Sequence, residues 1–367
     1  MRIGIDASRA FSKERTGIEE YSYQVVKSLK DKLIGHQVIL YLREEQLVDF
    51  NLPINWRIKN IKWPYFWTQI GLSLEMLLHP VDVLFVPSHV IPFIHPKKTI
   101  VTVHGLEYEV LPKAYSAWER LYMRLSIRKS CLWASRIIAV SENTKKDLMR
   151  VYSVPIDKIK VIYEGVNENF RSEILNDKIK AKHQLLDTKY LLFIGRLEER
   201  KNINGIISAF ETLKEQYHIP HKLILAGRFG YGEKLICHRL SAGKFSKDIT
   251  CLGFVSDEEK WALLDEADIF LFATFYEGFG LPILEAQQLG VPVVASSTSS
   301  LPEVGAEAAV YCDPSEPVSI AEAIYAIIKD PARRKELIEK GYENVKRFSW
   351  DKCAEEIAAL LVEDVVT

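Results

Sequence analysis

No two of the five cysteines, at 131, 237, 251, 312 and 353, form a C-x-x-C pair, and an odd count leaves no complete disulfide framework. That pattern fits a reduced chain better than a secreted, disulfide-stapled one. Long apolar runs are missing too. No stretch approaches the roughly 18 apolar residues that a membrane span requires. The opening residues MRIGIDASRA pass directly from a short apolar strand into polar sequence, without the apolar core of a secretory signal. The expectation is a cytoplasmic protein, with peripheral contact at the inner face of the membrane left open. Charge of one sign is also absent: the formal net charge is -1, so no overall basic field draws nucleic acid. The chain has no D-x-D, no His/Cys/Glu cluster at metal-ligand spacing, no G-x-S-x-G elbow and no Walker A loop. GRFGYG at 227–232 has the glycines of a dinucleotide loop but not their G-x-G-x-x-G spacing.

The sequence does hold repeated short apolar runs separated by amphipathic stretches. RIGID, VILYL, VDVLFVP, TIVTVH and RIIAVS read as strands in the first half. Between the first two, IEEYSYQVVKSLKDKL sets Ile18, Tyr21, Val25, Leu29 and Leu33 on one helical face. After a polar interval the pattern restarts with YLLFIGR, KLILAGR, ITCLGF, DIFLFAT and VPVVAS. Alternation of this kind predicts parallel sheets covered on both faces. With 367 residues and 48% hydrophobic content, the chain suits two α/β, doubly wound, Rossmann-like domains joined near 168–188. Such domains bind ligands beyond the carboxyl ends of their strands, and two that face each other enclose a cleft.

Two segments at strand ends of the second half carry chemistry. In YLLFIGRLEERKN, Gly195 allows an abrupt turn, Arg196 offers a planar fork of donors, and Lys201 adds a point charge. A helix starting near Asn202 would add its positive end, making a diphosphate clamp. A solvated loop with ordinary surface charges fits the same residues. In YEGFGLPILEA, Glu277 and Glu285 bracket a glycine turn after the strand IFLFATF. A carboxylate accepts hydrogen bonds from two neighbouring hydroxyls, so each glutamate can grip one polyol ring. A nucleotide sugar supplies two such rings with a diphosphate between them. The plainer reading is a loop charge at Glu277 and a helix-dipole partner at Glu285.

In the first half, Thr16 and Gly17 precede a helix whose N–H groups suit a phosphate, although a turn and cap explain them equally well. His104 ends the strand TIVTVH, where a histidine is a candidate sugar contact or proton-handling group. His89 ends the preceding strand, and a satisfied structural histidine is the favoured reading there. The stretch WPYFWTQIGLS gathers Trp63, Tyr65, Phe66 and Trp67. Packing beneath a loop is the favoured reading, against a lipid-facing patch or an acceptor platform. WDKCAEEIAALLVEDVV reads as a final amphipathic helix.

These residues resemble a known family. Gly195-Arg196 with Lys201, LGFVSDEE at 252–259, YEGFGLPILEAQQLGVPVVAS at 276–296 and LPEVG at 301–305 are similar to family 4 retaining glycosyltransferases of the GT-B fold. In the first half GIDASRA, TGIEEYS, TVHGL, AVSENTKKDL and VIYEGV resemble the branch that includes O-antigen mannosyltransferases. The resemblance implies an acceptor-side domain at 1–170, a nucleotide-sugar domain at 171–347, and a C-terminal helix at about 348–367 crossing back to the first. Arg196, Lys201, Glu277 and His104 would be catalytic. Gly17, Phe254, Val255, Phe279, Gly280, Leu281 and Glu285 would bind donor. Relatives often carry Asp after the histidine, where this chain has Gly105.

The resemblance further implies transfer of mannose from GDP-mannose to a glycan or lipid-linked glycan in surface polysaccharide synthesis. Arg196 and Lys201 would replace the metal ion of D-x-D enzymes, so no metal and no cofactor are expected. Peripheral membrane contact through the first domain and no nucleic-acid partner complete the expectation. The alternatives are a UDP-sugar-dependent glucosyl- or N-acetylglucosaminyltransferase, a nucleotide-sugar epimerase, and a two-lobed sugar-binding protein.

Overall fold

A computed structural model of the chain describes residues 1–12, 15–43, 46–167 and 188–363. The expected join between the halves, near 168–188, lies almost wholly outside the described residues, as does the 170/171 boundary. Two compact units emerge. The first contains 1–109, 116–165 and 348–367; the second contains 110–115 and 166–347.

Seven strands build the sheet of the first unit, among the described residues: β1 (Arg2–Asp6), β2 (Gln37–Leu42), β3 (Trp56–Asn60), β4 (Val83–Val86), β5 (Lys98–Val103), β6 (Arg136–Ala139) and β7 (Ile159–Val161). Their order is β3-β2-β1-β4-β5-β6-β7, and every pairing is parallel. The central strands are apolar throughout because helices cover both faces; Val83–Val86 is buried at every position. β3 is different. It lies at the edge, with only Trp56 buried, while Arg57 and Lys59 face solvent and discourage pairing with another chain.

The helix Gly17–Leu29 stops four residues short of Leu33, which is still buried from the following turn. The last helix, Trp350–Val362, lies in this unit and packs on Gly17–Leu29, with the Trp350 ring 5.9 Å from that of Tyr21. Gly165 is required there: a Cβ on it would sit 2.1 Å from the Trp350 backbone nitrogen.

The second sheet repeats the plan with β8 (Tyr190–Ile194), β9 (Lys222–Ala226), β10 (Ile249–Gly253), β11 (Ile269–Phe272), β12 (Val293–Ser296) and β13 (Ala309–Cys312). The order is β10-β9-β8-β11-β12-β13, again parallel. Phe193, Phe210, Phe270 and Leu225 lie in its continuous core. Both sheets therefore have the doubly wound α/β form. Each reverses its strand order once, between β1 and β4 in the first and between β8 and β11 in the second, which is where such sheets open a crevice.

Candidate active site

At the reversal of the second sheet, the loops leaving β8 (195–202) and β11 (273–280) run side by side. Two sets of hydrogen bonds tie them together. The Phe275 N–H donates to the Arg200 carbonyl at 3.1 Å. Asn202 adopts φ 58° and sends its amide to the carbonyls of Ala273 at 3.0 Å and Pro314 at 2.7 Å. Asparagine tolerates this left-handed conformation better than most side chains. It turns the chain straight into the helix Ile203–Gln216, whose first N–H groups carry the positive end of the helix dipole.

This stitching brings Lys201 to Glu277. Lys201 Nζ donates to Glu277 Oε1, and Arg200 lies 4.0 Å from the other carboxylate oxygen. The two paired side chains are only 11% and 13% exposed. Burial lowers the pKa of Lys201; the Glu277 carboxylate opposes that shift and the Arg200 charge adds to it. The Phe272 ring, 5.4 Å from the ammonium, gives it an aromatic floor. Arg200 also lies 2.7 Å from Glu198, and Arg196 lies 3.7 Å from the same buried carboxylate. Three cations thus share two carboxylates, and Arg196 remains 63% exposed.

The turn after Glu277 is fixed from behind. Its N–H donates to Ser299 Oγ at 3.1 Å, and the Ser300 hydroxyl donates to the carbonyls of Glu277 at 2.9 Å and Phe279 at 2.5 Å. The Phe279 side chain is buried. Gly280 has φ 126°, and a Cβ there would sit 2.9 Å from Leu301. Only glycine meets both conditions. It starts the helix Leu281–Gln288, with Pro282 in the first turn, where a missing N–H costs nothing. Glu285 projects from this helix and accepts a 2.8 Å bond from Lys260. Each glutamate of the pair is therefore matched by its own lysine.

Phe254 follows Gly253, which has φ 70°, and exposes its ring at the end of β10. The Arg228 guanidinium lies 4.6 Å from the ring centre. Val255 is half-buried against the core of the unit. The loops leaving β8 and β9 are in close contact: a Cβ on Gly227 would lie 1.8 Å from the Gly195 carbonyl oxygen. The second unit thus gathers Arg196, Lys201 and Glu277 at the reversal point, with Phe254 at a neighbouring strand end and Glu285 on the helix that follows the turn.

The first unit holds the remaining residues. Gly17 opens its helix with Thr16 at the N-cap, and a Cβ on Gly17 would meet nothing within 4 Å. Packing does not demand glycine there. His104 is the first residue after β5 and is buried. Its Nδ1 lies 3.3 Å from Glu164 and its Nε2 lies 2.9 Å from the Pro87 carbonyl, while Tyr21 and His89 stand edge-on to the ring. His104 thus has protein partners on both nitrogens. The satisfied-histidine reading fails in part for His89, whose buried Nδ1 has no hydrogen-bond partner among the described residues. Burial, and secondarily the charge of His104, pushes the His89 pKa well down.

Several residues of these sites were not singled out from sequence. Glu198 and Arg200 lie in LEERKN, but only the tight turn Glu199–Lys201 decides which of its charges point inward. Lys260 and Arg228 carry no local signal at all. Glu164 stands within VIYEGV, and its role appears only when β5 and the segment after β7 become neighbours. Among the described residues, no three His, Cys, Asp or Glu side chains cluster as metal ligands would. No described helix is long and apolar enough to cross a membrane.

Residues 176–344 match the family model "Glycosyl transferases group 1", and residues 15–170 match "Glycosyltransferase Family 4". O-antigen chain mannosyltransferase B of Escherichia coli is 32% identical over 259 residues, covering 70% of this chain and 68% of that protein. The chain belongs to the group 1 and family 4 glycosyltransferases. The O-antigen chain mannosyltransferase RfbU of Salmonella typhimurium is 25% identical over 308 residues, 84% of this chain and 81% of that one. Sucrose-phosphate synthase from Thermosynechococcus elongatus shares the fold, with a TM-score of 0.76 at 20% identity over 98% of each chain. The two doubly wound sheets of this glycosyltransferase are those of the GT-B fold. The cations of its second unit suit a diphosphate, and its glutamates suit ring hydroxyls.

Proposed function

We propose that this glycosyltransferase moves mannose from GDP-mannose to a glycan or lipid-linked glycan of a surface polysaccharide, with retention at the anomeric carbon. The observation that carries the reading is the Lys201–Glu277 contact, set among further cations where the second sheet reverses. Mannose itself is supported by the relatives' names, which are those of O-antigen mannosyltransferases.

Cleavage of the anomeric C–O bond puts negative charge on the departing diphosphate. Arg196 and Lys201 take up that charge in the absence of a metal. Cations fixed in place for such a charge contribute on the order of 3 kcal/mol each to the barrier. Glu277, shared between Lys201 and Arg200, holds sugar hydroxyls in this reading and does not attack the anomeric carbon. The acceptor hydroxyl attacks from the face the leaving group departs, within a short-lived ion pair, and its proton passes to the diphosphate. Glu285, steadied by Lys260, holds the ribose. Backbone N–H groups of Phe279, Gly280 and Leu281 serve sugar and phosphate. Phe254, with Arg228 against its ring, and the Val255 backbone flank the base. Gly17 meets a donor phosphate, and His104 reaches the sugar by exchanging one of its two protein bonds.

The test is thermal unfolding with GDP, UDP and ADP, with and without EDTA, followed by transfer from GDP-mannose. A nucleotide at about 100 times its dissociation constant stabilises its binder by roughly 2.7 kcal/mol. A GDP-selective shift that survives EDTA, with mannose released or transferred, is the expected result. Selectivity for UDP would overturn the mannose assignment and leave the fold and clamp intact.

A further inference from the structure

We infer that Glu164 holds the His104 ring doubly protonated, so that the first unit offers the donor a fixed cation and a hydrogen-bond donor, not a base. The inference deepens the proposed role of His104 and rests on that reading for its kinetic consequence alone.

A neutral imidazole carries a hydrogen on one nitrogen and a lone pair on the other. Both nitrogens of His104 face acceptors. Nε2 lies 2.9 Å from the Pro87 carbonyl oxygen, which can only accept, so the hydrogen of any neutral form sits on Nε2. That leaves Nδ1, 3.3 Å from Glu164 Oε1. A bare nitrogen against an ionised carboxylate would set two lone pairs against each other. A proton therefore lies between them.

Burial makes the two groups charge together. Glu164 is 4% exposed and His104 9%. Among the described residues no lysine or arginine pairs with Glu164. The other titratable groups at the pair are His89, Tyr21 on the helix Gly17–Leu29 and Cys353 on the helix Trp350–Val362. Burial keeps all three neutral, pushing Tyr21 and Cys353 well up and His89 well down. Arg9, whose charge reaches His89, is paired with Glu19 at 2.7 Å. An ionised Glu164 thus has His104 as its countercharge, and a buried charge without one is costly. Imidazole is more basic than a carboxylate by about two pH units in water. The shared proton accordingly resides on Nδ1.

The packing holds this pair in place. Glu164 precedes Gly165, where a Cβ would sit 2.1 Å from the Trp350 backbone nitrogen. The Trp350 ring stands 5.9 Å from that of Tyr21, and Tyr21 stands edge-on to His104 at 4.5 Å. The last helix thereby fixes the Glu164 backbone directly and the His104 ring through Tyr21. The residue after His104 is Gly105, so the carboxylate at the ring comes from 60 residues away.

An imidazolium has no lone pair with which to take a proton. On donor binding the Glu164 bond is kept and the Pro87 bond is exchanged, so the Nε2 hydrogen passes from the carbonyl to a substrate oxygen. Negative charge developing on the departing diphosphate then meets a cation of the first unit. Glu164 touches no substrate; it is a positioning residue.

NMR of the full chain carrying nitrogen-labelled histidine tests the inference, with the His104 signals assigned by their loss in His104→Gln. Both ring nitrogens are expected to be protonated at about pH 7.5, where an ordinary histidine is neutral. In Glu164→Gln the ring should be neutral with its hydrogen on Nε2, and Glu164→Asp should restore the second proton. Glu164→Gln should also lower kcat about tenfold or more, with KM for the donor less affected. Its activity should recover as pH falls, because a ring without its carboxylate gains the second proton only at lower pH. A packing role alone would lower kcat alike at every pH. A neutral His104 in the wild-type chain, a ring still doubly protonated in Glu164→Gln, or an unshifted pH profile would overturn the inference. The wild-type spectrum decides the protonation state even where a variant fails to fold. It is recorded without nucleotide, so a wrong donor assignment leaves that result standing.

Discussion

Lys201 and Glu277 are 76 residues apart in sequence, yet the ammonium of one donates to the carboxylate of the other. Two loops from adjacent parallel strands make the pair, and the Asn202 side chain holds the loops together. Removing one partner leaves the other charge buried. Lys201→Ala should therefore cost about 3–5 kcal/mol of stability as well as transfer. Lys201→Met/Glu277→Gln should recover most of the stability and none of the transfer. Chemical denaturation beside a transfer assay checks the split; full activity in a folded double variant would remove the pair from the mechanism.

Arg196 presents the opposite balance. Its side chain is mostly exposed and only loosely paired with Glu198, so Arg196→Ala should change stability by no more than about 0.5 kcal/mol. Transfer should fall by roughly 100-fold or more if it stabilises the leaving diphosphate. Steady-state kinetics on a variant with wild-type melting decides the matter, and near wild-type kcat would exclude the clamp.

Glu198 is a positioning residue, buried between two arginines. Glu198→Gln should keep the fold but loosen both guanidinium groups, weakening nucleoside diphosphate binding more than binding of the bare nucleoside. Calorimetric titration with GDP and guanosine separates these effects, and an equal loss for both would point to a merely structural role.

Gly17 occupies a helical first-turn position with open space around it. Gly17→Ala should fold with no loss of stability, since alanine is the better helix residue. If the proposed phosphate contact is correct, KM for the donor should rise. Unchanged kinetics would return Gly17 to an ordinary helix start.

Stability should depend on pH through His89. Burial holds its folded pKa well below 6.5, so the unfolded chain binds more protons in the interval beneath that value. Stability therefore rises with pH across that interval and falls on acidification. His89→Gln should flatten the dependence as pH falls below 6.5. Denaturation curves at pH values on either side of that point check this, and an unchanged slope would assign the dependence to other groups.

The two sheets and most of their strands were legible in the residues alone. RIGID and YLLFI are apolar runs that parallel strands need when both faces are covered, and they coincide with β1 and β8. Glycine and proline around Glu277 likewise marked the turn and the helix that follows, because backbone chemistry there is local. β3 was not legible: an edge strand with one buried residue has no apolar run to announce it. Nor was β7, three residues long, or β13, whose AVYC lacks a strong pattern. Which charges meet emerged with the folded chain. Glu198 between its arginines, Lys260 on Glu285 and Glu164 on His104 join residues from separate segments. Local periodicity records which face of an element is buried, but pairing across strands depends on sheet order, which no short stretch encodes.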